Sequence, residues 1–414
     1  MTETIAIHRR RVSAPRMGRK PAFWLLAATL SLLLFASSAP SPLYVVYQAE
    51  WGFSTIVLTS VFAVYALALL AALVVAGSVS DVVGRRPTLL VALVIEVAGM
   101  LAFAEARSVL WLFAARILQG VATGIAMGAI SAALIDLEPA ESPRLGATLG
   151  VAAPLSGLAG GALGAGVLVQ YGPDPTRLIF WLLFGAFVAL VAVAGTIPET
   201  VHRAGPWMHS LRPRLAVPAP LRGAFVKTIP SLVATWALGG LILSLGPSLT
   251  AGVLGDPDHV AGGLPIFIMA GVSAVAAVVL RGAHARSAAR GGLAAMIVGI
   301  GVALAALDAG STGLFLAATA IAGLGFGPAF AGAFRALSSL APVDHRGGLV
   351  SSILAVAYLA FSLPAVAAGA AVTQLGLHET ANIYGLVLIA IAAVALALSR
   401  HLQDPRAAAA PAAA

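Results

Sequence analysis

The sequence predicts an all-α polytopic membrane protein with twelve transmembrane helices, and three observations carry that prediction. Hydrophobic residues make up 60% of the 414-residue chain and charged residues only 10%, with a mean hydropathy of +0.99. Soluble globular domains carry about 25% charged residues. Apolar runs recur along the chain, centred near residues 34, 65, 95, 122, 158, 187, 240, 271, 301, 323, 360 and 391. Each is about 17 to 25 residues long, enough at about 1.5 Å per residue to cross roughly 30 Å of hydrocarbon, whereas a membrane strand needs only about 9 to 11. The third observation is the placement of charge. All of the 24 Lys and Arg except Arg107, Arg116 and Arg177 fall in the tails or the even-numbered loops. The positive-inside rule then predicts that both termini are cytoplasmic. This distribution accounts for the net charge of +8 and argues against a nucleic-acid partner.

Span 1 follows a basic tail, residues 1–21, holding Arg9, Arg10, Arg11, Arg16, Arg19 and Lys20. Its apolar run lacks a clear small-residue cleavage pattern, so it reads as a retained helix and not as a signal peptide. Tyr44, Tyr47 and Trp51 at its outer end, with Trp24 and Trp207 near the inner face, read as interfacial anchors. Span 2 runs from about Thr55 to Val75 and span 3 from about Pro87 to Phe103. The polar break between them, Gly77-Ser-Val-Ser-Asp81-Val-Val-Gly84-Arg85-Arg86, therefore lies at a membrane surface. Span 3 contains Glu96 and span 4 contains Arg116, each costing about 2.5 to 3.5 kcal/mol if left alone in lipid. Glu96 stands nine residues before Glu105 and Arg116 nine after Arg107, so antiparallel neighbours would bring the two to one depth as an ion pair. Asp136 lies at the inner end of span 4.

Span 5 places Gly150, Gly157, Gly161 and Gly164 on one helical face suited to close packing, with Pro154 as a kink point. Span 6 ends at Ile197-Pro198-Glu199-Thr200, and the Pro-rich, basic segment 201–226 reads as a cytoplasmic linker between six-span units at 22–200 and 227–402. The units look like distant copies. Ala39-Pro40-Ser41 in span 1 recurs as Gly246-Pro247-Ser248 in span 7, Gly120 in span 4 as Gly323 in span 10, and Pro154 in span 5 as Pro364 in span 11. Tyr65, Trp236 and Tyr358 fall deep in spans 2, 7 and 11 and are candidates to line a cavity. Span 12 leads into an Ala-rich tail, 403–414, that has nothing to bury and is expected to be disordered.

The break at 77–86, G-x-x-S-D-x-x-G-R-R, resembles the signature between helices 2 and 3 of the major facilitator superfamily. Arg116-Ile-Leu-Gln119-Gly120 resembles the R-x-x-Q-G motif on helix 4, associated with proton coupling in the antiporters of that family. Gly150-Val-Ala-Ala-Pro154-Leu-Ser-Gly157 is similar to the helix 5 motif of its exporter branches, with Ala153 where Gly usually precedes Pro and Leu158 in place of the second closing Gly. The resemblance spans about residues 22 to 402 and implies two pseudo-symmetric six-helix bundles that work by alternating access. It also implies that Asp81 faces the start of span 11, just after Arg346-Gly347-Gly348, as part of a gating motif with Gly77, Gly84, Arg85 and Arg86. Glu96, Arg116, Gln119 and Gly120 become the proton-coupling group, with Arg116 alternately pairing with Glu96 and releasing it to take a proton. Helix 3 is normally a peripheral support in this family. The corresponding loop of the second half, Arg281 to Arg290, lacks the acid and the G-R-R ending, so asymmetric gating contacts are expected.

Several classes fall away. The chain has no cysteine, which excludes disulfides and Cys-based metal sites. The eight histidines lie in loops, tails or near surfaces, so no intramembrane enzyme site, metal or cofactor is expected. No G-x-x-x-x-G-K-[ST] loop is present to bind ATP. Asn382 is the one asparagine, and Gln119 the one glutamine deep in a span, too few polar groups for a sugar or amino-acid site. The sequence therefore points to a monomeric, proton-coupled exporter of a lipophilic, drug-like small molecule in a plasma or bacterial inner membrane. An importer or facilitator of a small organic solute is the alternative within transporters, and a non-transporting membrane sensor or scaffold the alternative outside them.

Overall fold

Proline shapes the first span. Pro40 lacks the N–H needed to continue a helix, so α1 (Arg19–Ser38) ends and α2 (Pro40–Trp51) restarts across Ala39. Together they form one apolar span of 33 residues. This is a computed structural model, and it describes residues 17–201, 215–342 and 346–401. Arg9, Arg10, Arg11, Arg16, Arg203, Arg212, Arg214, Trp207 and the tail 403–414 lie outside the described residues.

The first half continues through α3 (Thr55–Ala76), the short α4 (Val79–Val83), α5 (Arg85–Ala104), α6 (Val109–Asp136), α7 (Leu145–Tyr171) and α8 (Leu178–Ala194). The second half holds α9 (Arg222–Gly252), α10 (His259–Val279), α11 (Ala285–Asp308), α12 (Thr312–Ser338), α13 (Arg346–Leu375) and α14 (Leu377–Leu398). Among the described residues, eleven spans are long and apolar enough to cross a membrane, and α8, of 17 residues, is a shorter apolar twelfth. Large apolar side chains point outward along them, with Val94 54%, Val275 64% and Leu386 60% exposed. Such a surface suits lipid, in which helices also satisfy their own backbone hydrogen bonds. Span 7 begins at Arg222, inside the segment read from sequence as linker. Pro218 and Pro220 set a 3-10 turn at Ala219–Leu221, and the helix follows at once.

The two halves repeat one packing scheme. In the first, α1 packs on α7, α3 on α6, α5 on α6 and α5 on α8. In the second, α9 packs on α13, α10 on α12, α11 on α12 and α11 on α14. The matched glycines sit at equivalent crossings. A side chain at Gly120 would strike the backbone of Tyr65 on α3, and one at Gly323 the backbone of Met269 on α10. Between the halves the main contacts are α7 with α10 and α3 with α13, which are equivalent pairs under the same repeat.

Candidate functional site

The loop after α3 is built around a carboxylate to which the sequence assigns no role. Glu199, just after α8, accepts hydrogen bonds from the backbone N–H groups of Arg85 (2.8 Å), Arg86 (3.1 Å), Thr200 (3.1 Å) and Val201 (3.3 Å). It thus caps the N-terminus of α5, where an anion is favoured by the exposed N–H groups and the helix dipole. Gly84 makes the approach possible. Its φ of 110° disfavours any side chain, and a Cβ there would meet the Glu199 carboxylate. Arg85 Nη1 donates to Ser80 Oγ at 2.6 Å and to Asp81 Oδ1 at 2.5 Å, while its Nε faces Asp136 Oδ2 at 3.5 Å. Asp136 also accepts from Thr200 Oγ1 at 2.7 Å, and Arg86 Nη1 reaches the Gly195 carbonyl at 3.2 Å. Gly77 at the end of α3 lies against Gly128 of α6. In this arrangement Asp81 is turned toward Arg85 within its own loop and not toward the start of α13.

Deeper in the first half lies a buried polar network. Glu96, Arg116, Gln119 and Thr123 are fully buried. Arg116 donates through Nε to Tyr44 Oη at 2.5 Å and through Nη1 to the Ser37 carbonyl at 2.8 Å and Gln119 Oε1 at 2.7 Å. Gln119 Nε2 donates to the Ala36 carbonyl at 3.0 Å and to Glu96 Oε1 at 3.5 Å. Glu96 and Arg116 do meet at one depth, yet the expected direct ion pair is absent and Gln119 bridges them. The reason is the break near Ala39: Ser37 and Ala36 carbonyls at the end of α1 compete for the cationic and amide donors. Arg116 also stacks against the rings of Tyr44, Tyr65 and Phe103, at 5.4, 5.2 and 5.8 Å. Glu96 Oε2 and Arg116 Nη2 have no hydrogen-bond partner among the described residues.

A cavity of about 910 Å³ separates the halves on the face that carries the 77–86 loop. Its walls come from the start of α7, the ends of α10 and α12, and the segment 281–285. Toward the opposite face it is closed. Gly263 and Gly166 of the two halves abut Ala162 and His259, and Gly369 of α13 abuts Thr59 of α3. Between these contacts and the cavity stands an aromatic cluster: Phe62 lies 4.9 Å from Phe361, and Trp236 lies 4.8, 5.3 and 5.8 Å from Tyr358, Phe330 and Phe361. Tyr358 reaches across to Met127 Sδ at 3.8 Å.

Several expectations are corrected by these positions. Trp236 and Tyr358 belong to the aromatic closure and do not line the cavity, and Tyr65 belongs to the Arg116 network. Apolar rings at the interface of two halves find each other before they face open space. Tyr44 and Tyr47 are buried, not interfacial: Tyr44 accepts from Arg116, and Tyr47 donates to the Thr176 carbonyl at 2.9 Å. Trp24 is 55% exposed, as an anchor requires. In α7 the glycine face divides: Gly157 and Gly161 press on the Ser31 and Phe35 backbone of α1, Gly164 on the Phe35 ring, and Gly150 meets nothing within 4 Å. Glu96 stands apart from the cavity lining, behind α1 and α6. Tyr44 was missed because no spacing links it to a residue 72 positions away in the chain. Among the described residues no three His, Asp or Glu gather to hold a metal ion.

Comparison with known proteins gives the same architecture. The profile of the Major Facilitator Superfamily matches residues 25–307. An MFS-type transporter, paaT, of Penicillium rubens is 32% identical over 122 residues, 29% of this chain and 22% of its own length. The match thus spans about a fifth of that relative. A crystal structure of a variant of the nucleoside transporter NupG superposes with a TM-score of 0.69 at 14% identity, covering 94% of this chain and all of that one. With its two repeated six-helix bundles, its cavity between them and its matching profile, the chain belongs to the major facilitator superfamily of membrane transporters.

Proposed function

We propose that the protein is a monomeric, proton-coupled secondary transporter that exports a lipophilic, drug-like small molecule by alternating access, with both termini in the cytoplasm. One observation carries the reading: a cavity open on one face and sealed on the other lies beside a buried network in which an acid, Glu96, is tied through Gln119 to an arginine. The network also holds the Ser37 and Ala36 carbonyls of α1. Since α1 packs on α7, and α7 on α10 of the other half, a change at Glu96 has a packed route to the interface. A proton taken up by Glu96 from the outer side returns the halves to the present arrangement; when Glu96 gives it up to the cytoplasm and cargo enters, its pull on Gln119 strengthens, the hold of Gln119 and Arg116 on the α1 carbonyls is redistributed, and the halves rock again. Asp81 then leaves Arg85 and complements the N-terminus of α13, latching the cytoplasmic side.

Import or facilitated passage of a small organic solute is the second reading, because a cavity with one open face serves either direction. Proteoliposomes with an imposed pH gradient separate the two. An exporter moves cargo against the proton flow, Glu96→Gln abolishes the response to the gradient, and Asp81→Asn slows transport at normal expression. Transport by the unaltered protein that ignores the gradient overturns proton coupling, and an unchanged rate in Asp81→Asn removes the latch. If no solute moves under any gradient, the carrier role itself fails in favour of a sensor or scaffold.

A further inference from the structure

Among the described residues, the cavity between the halves is lined by cationic side chains and by no acidic ones. Arg144 enters from the first half, and Arg281, Arg335 and Arg346 from the second, with His284 beside them. The walls between are small and apolar, formed by residues such as Val151, Ala276, Leu280 and Pro328. Each described acid on this face is engaged elsewhere. Asp81 and Asp136 face Arg85, Glu141 pairs with Lys20 at 3.1 Å, Glu138 accepts from the Leu145 N–H at 2.8 Å, and Glu199 caps α5. Asp344, near Arg346 in sequence, lies outside the described residues, and even one carboxylate there would leave the cavity positive.

Loop arginines that only fix topology need no common focus, whereas these converge from both halves on one hollow. One of them is also held in place. Arg335, half-buried on the last turn of α12, donates to the Ala331 carbonyl at 3.2 Å and to the Arg281 carbonyl at 3.2 Å. Arg144 is the one non-glycine residue with positive φ among the described residues, at 72°, a conformation that costs an ordinary residue about 1 to 2 kcal/mol.

We infer that this cavity selects an amphiphilic organic anion, a carboxylate, sulfonate or phosphate on an apolar body, and not a lipophilic cation. Arginine suits such a head group, because its planar fork matches these anions in a bidentate way. The volume suits a drug-sized body, since ligand pockets commonly run from about 300 to 1,000 Å³. This inference rests on the reading of the cavity as the transport route, and it refines the cargo to one charge class.

Binding can be measured without transport. The full-length protein in phosphatidylcholine nanodiscs is titrated with anilinonaphthalene sulfonate and with ethidium, a cation of similar apolar bulk. The sulfonate is expected to bind at least roughly tenfold more tightly, and the preference to shrink as salt rises. Arg144→Gln and Arg335→Gln should each weaken sulfonate binding by roughly tenfold while leaving ethidium binding unchanged; a loss for both dyes together would mark misfolding, and the salt dependence of the unaltered protein then decides. Equal or tighter binding of ethidium, or sulfonate binding indifferent to salt and to both substitutions, overturns the inference. Adding phosphatidylglycerol to the nanodiscs tells a cargo from a lipid head group: displacement of the dye would assign the arginines to lipid and overturn the cargo reading. A failure to transport either dye in proteoliposomes, with anion binding intact, would count against the carrier role and leave the charge preference standing.

Discussion

Tyr44 is the residue on which the buried arginine leans most directly. Its hydroxyl accepts from Arg116 Nε inside a fully buried site, so Tyr44→Phe leaves a charged donor without that partner. The cost is expected to be about 1 to 3 kcal/mol, seen as a lower midpoint in thermal unfolding in detergent; an unchanged midpoint would show that Arg116 is held by its other contacts alone. The ionisable members of this network were legible in the sequence, because a Glu and an Arg in lipid-crossing runs are conspicuous and the register of the two helices equates their depth. The bridge through Gln119 was not. It depends on carbonyls released near the α1 and α2 junction, and nothing in the local spacing of span 3 or span 4 contains that information. Glu199 shows the same limit: in the sequence it marks only the end of span 6, and it is the fold that places its carboxylate on the N–H groups of Arg85 and Arg86.

At the scale of an element, α7 shows how small residues divide one helix between two partners. Gly157 and Gly161 let it press on α1, while the Ala159 and Ala162 region and Gly166 meet α10. A side chain at Gly161 would collide with the Phe35 carbonyl and with Ser38 Oγ, whose hydroxyl bonds across to the Leu158 carbonyl at 2.8 Å. Gly161→Val is therefore expected to cost about 1 to 3 kcal/mol or more, whereas Gly150→Val, with open space around it, should leave the unfolding midpoint unchanged. Equal effects at the two positions would contradict this division of the face. The apolar runs located the membrane spans, since length and hydropathy are summed properties that survive local irregularity. Helix ends were less legible. The start of α9 at Arg222 is set by Pro218 and Pro220, and the split of span 1 by Pro40, each a local backbone effect within an otherwise uniform apolar signal.

For the whole molecule, the contacts between halves define which side is shut. Gly369 lies where an added Cβ would stand 3.0 Å from Thr59 Cβ, close to the spacing of about 3.5 to 4.5 Å that a disulfide spans. The chain has no cysteine of its own, so Thr59→Cys with Gly369→Cys offers a clean cross-link. Oxidation is expected to stop transport in proteoliposomes and a reductant to restore it, because the two halves could no longer part on that side. Continued transport by the oxidised, fully cross-linked protein would show that this contact does not open during the cycle. The recurring proline and glycine positions in the sequence anticipated the twofold plan, but not the state of the molecule. Which face is open depends on contacts between residues hundreds of positions apart, and both arrangements must be compatible with the same chain.

The aromatic cluster of Phe62, Phe361, Trp236, Tyr358 and Phe330 has a consequence for electrical insulation. Rings packed face to edge leave little room for a file of water, and hydronium needs such a file to hop. If the carrier is powered by the difference in acidity across a bilayer, as proposed, any wet crack would squander that supply, and this greasy bung would keep the battery from draining while the opposite mouth stands open.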